Sequence, residues 1–257
     1  MDIDGGKDHI QGEIEMANKN EVIAAQSTAV APSFVNQGTV RGTEHVDQSD
    51  LIIPRLELVQ SLSPCRKKAD PSYIEGADEG MMYNSVTREL YGTQAVLVPI
   101  SYKKEFLLWK KRDKGGGFRG VFKSMEDAEK GVALLDDAED IEITDTAQHF
   151  CLMVKPNGQM EEIVVSMAKS KLKTSRKWNS LIRIAEVDSF AKSYKVSAVT
   201  QTNAKNQDYF GFDVAPFSFV TEPVYRRAEK LWGMIEAGQV TVSTENQDTA
   251  AAGSTEY

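Results

Sequence analysis

Between positions 169 and 183 the chain carries Lys169, Lys171, Lys173, Arg176, Lys177 and Arg183 with no acidic residue among them. Wound as a helix at roughly 100° per residue, the stretch places Lys169, Lys173, Arg176, Lys177 and Arg183 within about 120° of one another. Leu172, Trp178, Leu181, Ile182 and Ala185 take most of the remaining circumference, with only Lys171 on that apolar side. A lysine cluster is not explained by burial. One charged stripe backed by an apolar stripe describes a docked helix that shows cations outward, and nucleic-acid phosphate is the commonest partner of such a face. Trp178 falls on the apolar side, so it is expected to anchor the helix rather than to stack on a base.

A second run, from Tyr102 to Lys123, mixes cations with rings: Lys103, Lys104, Lys110, Lys111, Arg112, Lys114, Arg119 and Lys123 beside Tyr102, Phe106, Trp109, Phe118 and Phe122. Single-stranded nucleic acid suits this mixture, because exposed bases stack on rings while Lys and Arg follow the phosphates. Strand alternation puts Tyr102, Lys104, Phe106, Leu108, Lys110 and Arg112 on one face and Lys103, Glu105, Leu107, Trp109 and Lys111 on the other. Both faces mix apolar and charged residues, so alternation leaves open which one is exposed. Strand aromatics pack in cores more often than they stack on bases, which makes the cations the stronger signal. Gly115-Gly116-Gly117 is followed by no phosphate-loop or dinucleotide pattern and reads as a turn, or as a loop able to bring Phe118 and Arg119 over a ligand.

Catalysis finds little support. The acidic run 126–145 holds nine acids against Lys130, and carboxylate clusters hold magnesium in nucleases. Glu161 and Glu162 lie on an expected strand, yet positions 163 and 164 are Ile and Val, so the lysine that a restriction-type nuclease needs is missing. No Ser/His/Asp or Cys/His set stands out. Cys65, Cys151 and the three histidines match no metal or redox spacing, and neither metal nor cofactor is expected.

The elements that must position these cations are mostly strands. Met81–Tyr83 and Gln94–Tyr102 flank a turn around Thr87–Tyr91, and Lys104–Arg112 reads as a further strand. Phe150–Lys155 and Met160–Met167 form a hairpin across Pro156-Asn157-Gly158, and Lys195–Gln201 and Asp208–Val214 a second across Asn203–Asn206. Helices are expected near 168–186 and near 222–237, the latter after Thr221 with Pro223 in its first turn and an apolar line of Val224, Ala228, Leu231 and Ile235. Residues 124–139 suggest a short acidic helix. The fold class is therefore mainly β with added helices (α+β), an OB-like β-barrel in architecture.

Composition bounds the rest. The chain has 257 residues, 41% hydrophobic and 26% charged, with a formal net charge of −8. Residues 1–50 carry −6, 126–145 carry −8 and 238–257 carry −3, which leaves +9 for the remainder. An acidic total thus does not exclude nucleic acid. Residues 1–48 and 239–257 are too poor in apolar side chains to offset their ordering entropy and are expected to be disordered, flanking a single folded domain from about 50 to 238. No signal peptide or membrane segment is expected, and the cytoplasm is the expected compartment.

Four motifs carry a family resemblance: Leu51-Ile52-Ile53-Pro54-Arg55-Leu56-Glu57-Leu58-Val59-Gln60 with Ser63-Pro64; Tyr83-Asn84-Ser85-Val86-Thr87; Trp109-Lys110 through Gly117-Phe118; and Lys171-Leu172-Lys173-Thr174-Ser175-Arg176-Lys177-Trp178-Asn179. Over residues 50–220 the chain resembles tailed-phage single-stranded DNA-binding proteins of replication and recombination. The resemblance implies an OB-type barrel, with strand 102–112 and the basic helix bordering a DNA groove. Under it Lys103, Lys104, Lys110, Lys111, Arg112, Arg119, Lys169, Lys173, Arg176 and Lys177 would contact phosphates, and Phe106 or Trp109 would stack bases. The protein would be non-catalytic, acting in the host cytoplasm with replication or recombination proteins as further partners. Proteins of this function typically end in a dense acidic tail; here the last twenty residues hold three acids, which puts tail-mediated recruitment in doubt. The alternatives are an adaptor docking an acidic protein through its basic face, and a metal-dependent nuclease. Oligomeric state and the choice between DNA and RNA stay open.

Overall fold

The computed structural model describes residues 53–203 and 206–237, with Gly42 and His45. The chain divides into two units, Met1–Val46 and Asp47–Tyr257, and every element below belongs to the second. The expectations for 1–48 and 239–257 lie, those two residues apart, outside the described residues.

Nine strands and three helices make up the described part: β1 (Leu56–Leu58), β2 (Met82–Asn84), β3 (Leu90–Gly92), β4 (Gln94–Lys110), β5 (Phe118–Phe122), α1 (Met125–Ala133), β6 (Ile141–Val154), β7 (Met160–Ala168), α2 (Leu172–Ile184), β8 (Lys192–Thr202), β9 (Asp208–Phe219) and α3 (Glu222–Glu236). They form an antiparallel six-stranded sheet in the order β7-β6-β4-β8-β9, with β5 added on β4, and a small sheet β1-β2-β3. The class is mainly β with three helices, α+β. The two expected hairpins are present, β6–β7 turning at Gly158 with φ +82°, a value that favours glycine.

Two expectations need correction. Lys104–Arg112 is not a separate strand. β4 runs unbroken from Gln94 to Lys110, pairing with β6 along nearly its whole length and shifting register between Pro99 and Ser101. Pro99 brings no N–H to the ladder, and a bulge absorbs that defect without ending the strand. The closed barrel is not met either, because no ladder joins β9 to β7 among the described residues. Instead the segment around β1 touches both. Val164 N donates to Pro54 O at 2.9 Å on β7. The Gln60 side chain accepts from Phe210 N and donates to Phe210 O, both at 2.8 Å, on β9. An amide satisfying the backbone of an edge strand covers groups that would otherwise invite another strand.

β6 shows why the run Phe150-Cys151-Leu152-Met153 is apolar without alternation: successive side chains point to opposite faces, and both faces are covered. On one face Cys151 and Met153 pack with Leu56, Leu58, Met82, Leu97 and Trp178. On the other Phe150 and Leu152 meet Val98, Ile100 and α3 through Ala228 and Leu231. α1 closes the far end of β4, Ala128 packing on Phe106 and Leu108. Burying a large apolar side chain contributes roughly 1.5–3 kcal/mol, so these layers hold the sheet and, with it, the helix that carries the cations.

Candidate nucleic-acid interface

α2 begins at Leu172, later than the sequence suggests. Lys169 has φ +51°, and Lys169–Lys171 form a 3-10 turn before the α-helix, so the left-handed residue breaks helical continuity. The inward face of α2 is fixed by Ser175 and Trp178. Trp178 is fully buried and stacks on His149 with ring centroids 4.5 Å apart at 17°. His149 Nε2 lies 2.8 Å from Ser175 Oγ, and burial lowers the imidazole to about 4. Trp178 is thus an anchor. On β4 the half-exposed Tyr102 ring lies 5.1 Å from His149, so one aromatic line runs from the surface of β4 to the root of α2. Of the second basic segment, this line brings Tyr102 toward α2.

The outward face of α2 carries Lys173, Arg176, Lys177 and Arg183, all exposed. Lys177 pairs with Asp213 at 2.6 Å, and this hydrogen bond holds the Asp213 carboxyl below its usual range. Lys169 lies 3.2 Å from Glu142. Lys171 sits 5.6 Å over the Phe212 ring, consistent with its place on the apolar side. Lys173, Arg176 and Arg183 make no ion pair among the described residues. The first turn of α2 contains no acid, contrary to what the helix dipole favours.

Strand β4 and β5 tell a different story. Lys104 meets Asp145 at 3.0 Å, Lys110 meets Asp137 at 2.6 Å, Arg119 meets Asp137 at 3.5 Å and Lys114 meets Asp140 at 3.8 Å. Lys111 Nζ donates to Glu139 O at 2.6 Å. Lys103 pairs with the buried Glu105, whose Oε2 has no hydrogen-bond partner among the described residues. Arg112 is exposed in the turn Arg112–Lys114. The acidic run therefore folds back on the basic strand. β6 pairs with β4 so that Asp145 faces Phe106 and Glu142 faces Trp109, while the turn before β6 wraps the end of β4. The Lys110 hydrogen bond holds the Asp137 carboxyl below its usual range. Among the described residues no group of three His, Cys, Asp or Glu side chains is placed to hold a metal ion.

Of the two candidate stacking residues, Phe106 is only 8% exposed under α1. Trp109 is half-buried and meets Phe118 edge to face at 5.3 Å. A surface that the sequence reading passed over lies at the end of β9, beyond Val214. Phe217 and Phe219 are 56% and 66% exposed, with Lys195 and Lys192 of β8 over their rings at 5.3 and 4.9 Å. The signal was the pattern Ala215-Pro216-Phe217-Ser218-Phe219, in which large rings alternate with small residues at the end of a strand.

The shared motifs land largely on joints. Asn84 Oδ1 accepts from Val86 N and Thr87 N at 2.7 and 2.8 Å, making the turn between β2 and β3. Ser63 Oγ accepts from Gln60 N at 2.8 Å, beside the Gln60 clasp on β9. No helix among the described residues is long and apolar enough to cross a membrane.

No curated protein and no solved structure matches the chain. The family model of the Pam3 phage gp34-like protein matches residues 24–241, a span that takes in all the elements described above. With most of its length matched, and with the phage kinship that its motifs suggest, the chain belongs to the Pam3 phage gp34-like protein family.

Proposed function

We propose that this protein is a non-catalytic single-stranded DNA-binding protein, acting in phage replication or recombination within the host cytoplasm. The observation that carries the reading is the outward face of α2, where Lys173, Arg176 and Arg183 stand exposed with no ion pair among the described residues, while Trp178 and Ser175 lock the opposite face into the core. Lys173 in the first turn of α2 costs rather than contributes folding stability against the helix dipole, whereas Arg183 in the last turn is favoured by it. Lys173 makes sense against an external anion, for which the same helix end offers a favourable field. Tyr102 reaches toward α2 through His149, and the cations of β4 would extend the track, with Trp109 the more accessible of the two expected base-stacking rings. An antiparallel sheet whose outer strands β7 and β9 are both bonded by residues 54–60 supports kinship to OB-type domains.

The test is anisotropy of a labelled oligothymidylate, with an oligouridylate alongside to decide between DNA and RNA. Binding is expected at low salt, with log K falling by about 0.7 for each phosphate neutralised. Absence of binding to either strand at low salt sinks the proposal. An acidic protein that co-purifies, and is lost on charge reversal of α2, would favour the adaptor reading.

A further inference from the structure

The β8–β9 end carries the strongest surface not yet given a role. Phe217 and Phe219 are exposed at 56% and 66%, where most large apolar side chains of the described residues are buried or partly buried. Each ring has a lysine ammonium near its face, Lys195 Nζ at 5.3 Å from the Phe217 centroid and Lys192 Nζ at 4.9 Å from the Phe219 centroid. Neither lysine makes an ion pair among the described residues, unlike the cations of β4 and β5. β8 and β9 shift register between Ser193 and Tyr194, opposite Pro216 and Ser218, which leaves Phe217 as the extra residue of a bulge. A bulge re-aims side chains and raises local twist. Pro216 in addition removes an N–H from an edge strand, which disfavours pairing with another strand here.

Two accessible rings interleaved with two unpaired cations match the alternation of base and phosphate along a single strand, since every base has a face to stack and every linkage a charge to meet. The platform also joins the proposed track. Asp213, the partner of Lys177, lies on the same strand four residues before Phe217, about 13 Å at the strand rise.

Resting on the reading above, we infer that Phe217 and Phe219 form a base-stacking platform, with Lys192 and Lys195 meeting the flanking phosphates, that extends the single-stranded DNA track of α2 along β9. A stacked base takes the open side of each ring while the lysine turns from the ring toward phosphate. The chemistry asks for bases and a charged backbone but for no particular sequence.

The experiment uses the full chain and a labelled twenty-nucleotide oligothymidylate, read by anisotropy at two salt concentrations. Phe217→Ala with Phe219→Ala is expected to weaken binding about 10-fold or more with little change in salt slope. Phe217→Tyr with Phe219→Tyr keeps the rings and should restore it. Lys192→Gln with Lys195→Gln should flatten the slope of log K against log salt by about 1.4, from roughly 0.7 per phosphate. Circular-dichroism melts confirm that each variant is folded, and the exposed positions make loss of the fold an unexpected result. If the double alanine variant binds as wild type while reversal of Lys173 and Arg176 weakens binding, the platform is overturned and the function stands. If wild type binds no oligonucleotide, both fall. If the alanine variant loses self-association in sedimentation but keeps DNA affinity, the rings serve a second copy of the chain and the inference is overturned.

Discussion

On the β4–β5 arm Lys104, Lys110, Lys111, Lys114 and Arg119 each reach an oxygen of the chain's own residues 137–145, whereas on α2 Lys173, Arg176 and Arg183 reach none among the described residues. The two regions look alike in composition, and both would be scored as basic. What separates them is the ladder. Antiparallel pairing of β6 with β4 delivers residues 137–145, with five acids and no base, to the side of the arm, while α2 follows β7 and leaves its outward face to solvent. Cation count alone therefore overstates the arm. Ion pairs of partly exposed groups contribute about 0.2–1 kcal/mol each, so phosphate could still displace these carboxylates, at a cost that α2 does not incur.

The largest effect that tests this contrast is in stability. Trp178→Ala should destabilise the protein by about 3–5 kcal/mol, seen as a lower urea midpoint, because the ring is fully buried beneath α2. A variant that loses DNA affinity with an unchanged midpoint would make Trp178 a stacking residue after all. Acid should act at the same root. Burial holds His149 at about 4 against about 6.5 when unfolded, so the unfolded chain binds more protons between those values. The contribution is intact above pH 6.5 and is lost toward pH 4, up to roughly 3 kcal/mol. Urea midpoints measured across that range should fall more steeply for wild type than for His149→Asn, and equal slopes would contradict the buried neutral imidazole.

Reversing Lys173 and Arg176 to Glu should weaken oligothymidylate binding by about 100-fold at low salt, or about 2.7 kcal/mol. The same reversal at Lys110 and Lys111 should cost clearly less; a larger loss there would invert the comparison. The smallest change is a gain. Asp137→Asn with Asp140→Asn and Asp145→Asn should raise affinity by about 3- to 10-fold through release of their lysines. No gain would mean that the arm lies off the DNA path.

Much of this was legible in advance, and for definite reasons. The hairpin at Pro156-Asn157-Gly158 and the helix after Thr221 are local events, decided by turn chemistry and by a 3.6-residue apolar period. The inward turn of Trp178 followed from the same projection. The continuity of β4 was not legible, since Pro99 looks like a break until β6 is seen to pair across it. Nor was the role of Gln60, an unremarkable amide whose partner Phe210 lies 150 positions away. The exposed Phe217 and Phe219 were not legible, because the strand expected from the sequence stops at Val214 while β9 runs on to Phe219.

Sequence by itself determined the α+β composition, the amphipathic basic helix and the phage kinship of the chain, because periodicity, turn residues and motif identity are written locally. Tertiary structure alone decided which cations are free. Charge neutralisation depends on distances of a few ångströms between residues tens of positions apart, and only strand order and register set those distances.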